Sequence, residues 1–168
     1  MALLRKLVLV ALASCASALN PAIKFAGVGM QALKPIFSLE TKLQALVLGK
    51  IGGVDVDDVK SELDAVGKTP CVIYSYGLSP FSTEAIALLE ETGCTFENRQ
   101  LGLEWFLLGP RASVFRAELE TTTGQSSLPH VFIGGKSVGG LSSGTPGLAA
   151  LQESGELTTM LKQAKALR

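Results

Sequence analysis

The chain has 168 residues, of which 47% are hydrophobic and 18% charged, so it can bury a core and is not compositionally disordered. Basic and acidic residues number 15 each, which excludes a net charge that would draw the chain to nucleic acid or to an anionic membrane. One histidine and three cysteines allow at most a single Cys3His set, which excludes most four-ligand structural zinc sites, and they are too few for a disulfide-rich scaffold.

The neutral total hides two regions of opposite charge. Residues 1–53 carry six basic residues and one acidic residue, whereas residues 54–168 carry nine basic and fourteen acidic ones. Such a division is typical of a targeting or tethering segment that precedes a folded domain. We therefore predict three regions, which are residues 1–18, 19–53 and 54–168.

Residues 1–18 have the pattern of a secretory signal peptide. Arg5 and Lys6 precede an unbroken apolar run over residues 7–13, and small residues at positions 16–18 form a cleavage site. The apolar run is too short to cross a bilayer, so no transmembrane span is expected. This pattern predicts entry into the secretory pathway.

Residues 19–53 form a basic, apolar extension. Its start resembles the junction of the two-part leaders that carry proteins into complex algal plastids, with Leu19 where that junction usually has Phe. Apolar residues at helical spacing predict an amphipathic helix over residues 38–48. This helix either packs on the domain or belongs to a transit segment that is removed. The protein is expected to be secreted or to be passed on to a plastid.

Helices and strands alternate along residues 54–168. The predicted order is helix, strand, helix, strand, helix, strand, strand, helix and helix, and the second helix begins at Ser79 and Pro80. A parallel βαβ unit followed by a hairpin predicts an α/β fold of the thioredoxin-like type, a four-stranded mixed sheet flanked by helices. The predicted strands cover residues 71–76, 94–101, 130–133 and 136–138, and the third helix is predicted over about residues 112–123.

Two motifs resemble those of the glutaredoxin family. Residues 74–82, Tyr-Ser-Tyr-Gly-Leu-Ser-Pro-Phe-Ser, are similar to the family's active-site segment. Residues 123–140 are similar to its TGQ-x-(T/S)VP-x-VFI-x-GK-x-(I/V)GG run. On these motifs, the chain is identified as a member of the glutaredoxin family over about residues 55–165.

The resemblance also shows which chemistry is missing. Family members carry Cys-x-x-Cys or Cys-x-x-Ser at the start of the second helix, where the helix N-terminus lowers the thiol pKa and the thiolate attacks a disulfide. Ser79 and Ser82 occupy both cysteine positions. We therefore expect a redox-inactive variant with no thiol–disulfide exchange at this motif, no iron–sulfur cluster and no metal.

The resemblance implies that part of a glutathione-binding groove is retained. The backbone of Leu128, before a cis Pro129, is expected to pair with the tripeptide as an added strand. Arg116 is expected to meet its glycine carboxylate, whereas Tyr76 replaces a lysine that would add a second positive charge. Hydroxyls after the Gly-Gly pair can hold the γ-glutamyl end. The residues predicted to bind glutathione are Tyr76, Ser79, Arg116, Leu128, Pro129, Gly140, Ser142 and Ser143.

Three other residues need a role. Cys71 and Cys94 are expected at strand starts, at the pole of the sheet opposite to the motif. They are either buried apolar residues or, because their strands are parallel neighbours, a pair within disulfide reach. His130 follows the loop proline and is expected to face away from Ser79, which disfavours a serine hydrolase.

An apolar segment lies before the third helix, where a short polar loop is expected. It is either a helical turn that closes the core or an exposed patch that binds a protein partner. Its members are Leu103, Trp105, Phe106, Leu107 and Leu108.

Three kinds of function fit these features. The first is a redox-inactive glutaredoxin-like domain that retains a groove for glutathione or a peptide. The second is a glutathione-dependent enzyme, either transferase-like, with Ser79 holding the glutathione thiolate, or a residual glutathione-linked oxidoreductase. The third is a purely structural domain that binds a protein partner.

Overall fold

The computed structural model describes residues 45, 47, 49, 52–105 and 109–167. The predicted leader over residues 1–18 and most of the 19–53 extension lie outside the described residues. Residues 45, 47 and 49, at the end of the predicted 38–48 helix, are helical. A Cβ on Gly49 would come within 2.7 Å of the Val114 side chain, and the Gly49 carbonyl oxygen accepts a 3.1 Å hydrogen bond from the Val54 amide. This part of the extension therefore contacts the folded domain.

Four strands of the described chain form one mixed sheet in the order β2-β1-β3-β4. β1 pairs with β2 in parallel and with β3 in antiparallel orientation, and β3 and β4 form a hairpin. This arrangement confirms the predicted thioredoxin-like sheet. The strands are β1 (Cys71–Tyr76), β2 (Glu97–Leu101), β3 (His130–Ile133) and β4 (Lys136–Gly139).

Five α-helices between residues 56 and 163 cover the sheet. Two of them begin at side-chain caps, of which the one at Ser79 is predicted from the sequence. The Oδ1 atom of Asp55 accepts a 2.9 Å hydrogen bond from the Asp57 amide, and the Ser79 hydroxyl caps the second helix. The helices are α1 (Val56–Ala65), α2 (Pro80–Glu91), α3 (Pro110–Thr123), α4 (Leu148–Ser154) and α5 (Glu156–Gln163).

The third helix is longer than predicted. It begins at Pro110 rather than near residue 112, because proline lacks the amide hydrogen that the first helical turn leaves unpaired and its fixed φ suits that turn. It ends at Gly124, whose φ of 73° lies in the left-handed region that glycine adopts without strain.

The second strand is shorter than the predicted strand over residues 94–101. The Thr95 amide donates a 2.8 Å hydrogen bond to the Ala166 carbonyl oxygen, so the backbone before β2 is joined to the C-terminal segment. β2 pairs on one side only, and its residues are exposed or half-buried. An edge strand of this kind needs little apolar alternation, which explains why its start is hard to predict.

Apolar residues alternate along β1 and build a core on each face of the sheet. Cys71 and Ile73 join one cluster, which packs against α2, α4 and α5. Val72 and Tyr74 join the other, which packs against α1 and α3. This is the two-residue period of a strand that is buried on both faces. Within the described part of the chain, no helix has the length and apolarity that a membrane span requires.

Candidate functional site

The loop between β1 and α2 carries the first predicted site residues. The Ser79 amide donates a 3.0 Å hydrogen bond to the Tyr76 carbonyl oxygen, which closes the loop. The Ser79 Oγ atom accepts a 3.3 Å hydrogen bond from the Ser82 amide, so Ser79 is the N-cap of α2. Its hydroxyl proton is donated to none of the described residues. Ser79 therefore caps the helix, and its hydroxyl can still donate one hydrogen bond to a ligand.

Ser82, the second serine of the motif, holds the loop in place. Its side chain is 1% exposed, and its Oγ atom accepts a 3.1 Å hydrogen bond from the Tyr76 amide. This bond joins the first turn of α2 to the last residue of β1. Ser82 is therefore enclosed, unlike the half-buried Ser79.

The register of the sheet brings the Leu128-Pro129 bond to the same pole as the motif. β1 and β3 are antiparallel with Tyr74 opposite His130, so Tyr76 is level with Leu128. The Leu128-Pro129 peptide bond is cis, as predicted. Pro129 is buried and Leu128 is half-buried against the core cluster that contains Tyr74.

Gln125 connects the Pro129 loop with the turn after β4. Its Nε2 atom donates hydrogen bonds to the Ser127 Oγ atom at 2.9 Å and to the Ser143 Oγ atom at 3.0 Å. A Cβ on Gly140 would lie 2.8 Å from both the Pro129 carbonyl oxygen and the Ser143 Oγ atom, so the two segments meet at a glycine. The structure thus brings Pro129, Gly140 and Ser143 together.

Gln125 is not among the predicted site residues, although it stands inside the 123–140 motif. The sequence does contain one signal for such a role. An amide side chain that precedes a buried strand is itself expected to be buried, and its donor and acceptor groups then need hydrogen-bond partners. The turn that follows Gly140 connects β4 to α4. Its Thr145-Pro146 bond is a second cis bond, and α4 begins only at Leu148, so Ser142 and Ser143 lie in the turn.

Arg116 on α3 lies over the ring of Trp105. The guanidinium carbon is 5.7 Å from the ring centroid, which is a cation–π distance. Trp105 is 3% exposed and meets Phe115 edge-on with 6.0 Å between centroids. The exposed partner patch is therefore a wrong prediction for Trp105, because its ring fills the core cluster under α3. The alternative, a helical turn that closes the core, is present as a 3-10 turn over Leu103–Trp105.

The other members of the apolar segment differ from Trp105. Leu103 is 57% exposed. Phe106, Leu107 and Leu108 lie outside the described residues. The partner patch therefore stays a prediction for these four side chains.

Several known proteins are similar to this chain. The glutaredoxin family model matches residues 71–138. Glutaredoxin-C6 of Oryza sativa subsp. japonica is 33% identical over 104 residues, which cover 62% of this chain and 85% of that protein. The chain belongs to the glutaredoxin family.

Other glutaredoxins extend this comparison. Monothiol glutaredoxin-S10 of Oryza sativa subsp. japonica is 38% identical over 110 residues, or 64% of this chain, and the match spans 58% of that protein's length. Monothiol glutaredoxin-S12, chloroplastic, of Arabidopsis thaliana is 28% identical over 137 residues, covering 82% of this chain and 70% of that protein. The crystal structure of a buckwheat glutaredoxin–glutathione complex shares the fold, with a TM-score of 0.55, 24% identity and coverage of 66% of this chain and 92% of that one.

His130, the single histidine of this glutaredoxin, is part of its core. The side chain is fully buried, and its Nε2 atom lies 2.7 Å from the Ser137 Oγ atom. Burial lowers the pKa of His130 to about 4, because the charged imidazolium would lose its hydration. The neutral ring is bonded to Ser137 and is thus not a base for Ser79.

The two cysteines of the described chain lie at the other pole of this glutaredoxin. Cys71 is the first residue of β1, and Cys94 stands between α2 and β2. Both are free thiols and both contact the same core cluster. No group of three or more His, Cys, Asp or Glu side chains placed to hold a metal ion occurs among the described residues.

Proposed function

We propose that this glutaredoxin domain binds glutathione at the pole formed by Ser79, the Leu128-Pro129 loop and the Gly140 turn, without thiol–disulfide exchange at the motif. One observation carries the proposal. Hydroxyl groups stand at both positions from which thiolates act in the family: the Ser82 hydroxyl joins α2 to β1, and the Ser79 hydroxyl caps α2. A serine hydroxyl forms no disulfide, and it stays protonated near neutral pH unless a base activates it.

The backbone around Leu128 supports a strand-like contact with the tripeptide. Leu128 precedes β3, and its amide and carbonyl groups form no backbone hydrogen bond with another described residue. An extended ligand that pairs with this backbone satisfies both groups. A glutathione complex of the buckwheat relative is consistent with this use of the fold.

Charged and polar groups support the two ends of the ligand. Arg116 supplies a guanidinium for the glycine carboxylate, and its stacking on Trp105 limits the freedom of the side chain. The Ser143 hydroxyl accepts a hydrogen bond from Gln125 and retains its own proton for a carboxylate oxygen at the γ-glutamyl end. Tyr76 offers no charge, so we expect weaker binding than in a member with lysine there.

Two measurements on the full chain test the proposal. Titration calorimetry with glutathione should give saturable binding, and a coupled assay with glutathione reductase should give no disulfide reduction. Turnover that Ser79→Ala abolishes would overturn the redox-inactive assignment. Absence of saturable binding would overturn the proposal that the groove binds glutathione. It would favour the alternative of a structural domain that binds a protein partner.

A transferase-like activity is the second candidate, and the uncommitted proton of Ser79 favours it. The Ser79 Oγ atom accepts a hydrogen bond from the Ser82 amide. If its hydroxyl also donated to the sulfur of glutathione, it would stabilise the thiolate, which is the reactive form. Conjugation of glutathione to an activated aryl chloride tests this activity. The candidate requires a rate above the uncatalysed reaction that falls in Ser79→Ala, while equal rates for both proteins would exclude it.

We infer that the N-terminal region is a two-part leader that directs the domain to a plastid. The charge division at residue 53, the small-residue junction at residues 16–18 and the chloroplastic name of an Arabidopsis relative support this inference. N-terminal sequencing of the mature protein tests it. A start well beyond Leu19 supports a second cleavage, a start at Leu19 favours secretion, and recovery of Met1 would overturn the leader.

A further inference from the structure

Two thiols contact each other at the pole opposite Ser79. Cys71 and Cys94 both pack in the core cluster on one face of the sheet, and their thiols are close enough to interact with each other. β1 and β2 are parallel neighbours with Val72 opposite Glu97, so the start of β1 lies beside the segment that leads into β2. We propose that Cys71 and Cys94 form a reversible dithiol–disulfide couple, separate from the family's active-site position.

The segment around Cys94 is held against β1 by its own hydrogen bonds. The Cys94 amide donates to the Thr92 Oγ atom at 3.2 Å, and the Thr95 amide donates to the Ala166 carbonyl oxygen at 2.8 Å. These contacts fix the backbone on both sides of the thiol. Because this backbone lies beside the start of β1, a disulfide between the two sulfur atoms needs only a small rearrangement.

The two thiols differ in exposure and in acidity. Cys71 is fully buried, whereas Cys94 is half-buried and therefore reachable from solvent. The neighbouring Cys71 thiol lowers the pKa of Cys94 to about 6, whereas the interaction with Cys94 together with burial raises the pKa of Cys71. Cys94 is thus the attacking thiol, and Cys71 is the resolving thiol.

Glutathione disulfide is a suitable oxidant for this couple. The Cys94 thiolate attacks one sulfur of glutathione disulfide, which forms a mixed disulfide on Cys94 and releases one glutathione thiolate. Cys71 loses its proton to the released thiolate and attacks the Cys94 sulfur, which breaks the mixed disulfide and releases the second glutathione. Two protein thiols are oxidised and one glutathione disulfide is reduced to two glutathione molecules.

Equilibration of the full chain in glutathione redox buffers tests the couple. After acid quenching and alkylation, the tryptic peptide of residues 69–99 contains both cysteines and excludes Cys15. The oxidised peptide should be unalkylated and lighter than the dithiol peptide by two hydrogen atoms. At a fixed ratio of glutathione to its disulfide, about tenfold dilution of both should raise the ratio of oxidised to reduced peptide about tenfold, because two glutathione molecules are released.

Single-cysteine variants assign the two roles. In Cys71→Ala, the reaction should end with a glutathione adduct on Cys94, and the same dilution should leave the fraction of this adduct unchanged. In Cys94→Ser, Cys71 should remain unmodified. Arg116→Ala is the matched control, because it alters the proposed groove and should leave the couple intact. A wild-type peptide that stays fully alkylated in the most oxidising buffer, or that carries only a glutathione adduct, would overturn the proposal.

Discussion

The guanidinium carbon of Arg116 lies 5.7 Å from the centroid of the buried Trp105 ring. A rigid ring below the cation restricts the conformations of a long side chain, so less conformational entropy is lost when a ligand carboxylate binds. The aromatic residue of the 103–105 turn therefore supports the proposed groove from inside the core. This relationship makes Arg116 the first side chain to test.

Arg116→Ala should weaken glutathione binding. A hydrogen bond to a charged group contributes roughly 1.5–3 kcal/mol, which corresponds to a Kd higher by about tenfold or more. Calorimetric titration measures this change. Arg111→Ala is the control on the same helix, since Arg111 is exposed and pairs with Glu62 at 2.6 Å. Equal losses in both variants would mean that general charge, and not a site contact, attracts the ligand.

Tyr76→Lys should strengthen glutathione binding. The Tyr76 backbone is held by hydrogen bonds to Ser82 and Ser79, so the exchange of its side chain should leave the loop in place. An ammonium at this position adds a second positive charge for the same carboxylate, and the gain should shrink at high salt. Tyr76→Met separates the effect of charge from the loss of the ring. If lysine and methionine give the same Kd at low salt, the carboxylate lies elsewhere.

Ser79→Cys should create a reactive thiol with a pKa below that of a free cysteine. The thiol would stand at the N-terminus of α2, where the helix dipole and free amide groups stabilise a thiolate. The pH dependence of alkylation, followed by mass spectrometry, reports the pKa. Ser82→Cys is the matched control, because its side chain is 1% exposed and should react slowly. An unreactive thiol at residue 79 alongside a native fold would contradict the proposed accessibility of the motif.

In the His130→Gln variant, the free energy of unfolding should decrease less than in the wild type when the pH is lowered into the mildly acidic range. The pKa of His130 is lowered by burial to about 4 in the folded protein, against a reference value of 6.5 for the unfolded chain. Between these values the unfolded chain binds the proton and the folded protein does not, so the free energy of unfolding falls as the pH drops through this window. His130 should lower the free energy of unfolding by about 3 kcal/mol when the pH has fallen to its folded-state pKa of about 4.

Urea unfolding at several pH values measures this effect. The difference in unfolding free energy between wild type and His130→Gln should change across the window, even if glutamine lowers stability at every pH. A difference that stays constant between pH 6.5 and about 4 would show that His130 becomes protonated in the fold without cost.

Local chemistry made much of this fold predictable from the sequence. β1 has the predicted bounds because a run of apolar residues is buried on both faces, and α2 begins where Ser79 and Pro80 provide a cap and a first turn. Gly124 and Gly155 end helices in left-handed conformations that few other residues adopt. In each case the residues that specify the element are its own neighbours, so one short stretch of sequence contains the information.

Contacts between distant segments were decided only by the tertiary structure. The sequence identifies Trp105 as a large apolar residue before a helix, but its burial depends on how α3 and β1 pack around it. Gln125 acquires its role because the turn after β4 returns to it, and Cys71 contacts Cys94 because β1 and the segment before β2 lie side by side. These contacts join residues from different elements, and their geometry is set by the packing of the whole sheet, which no single stretch of sequence encodes.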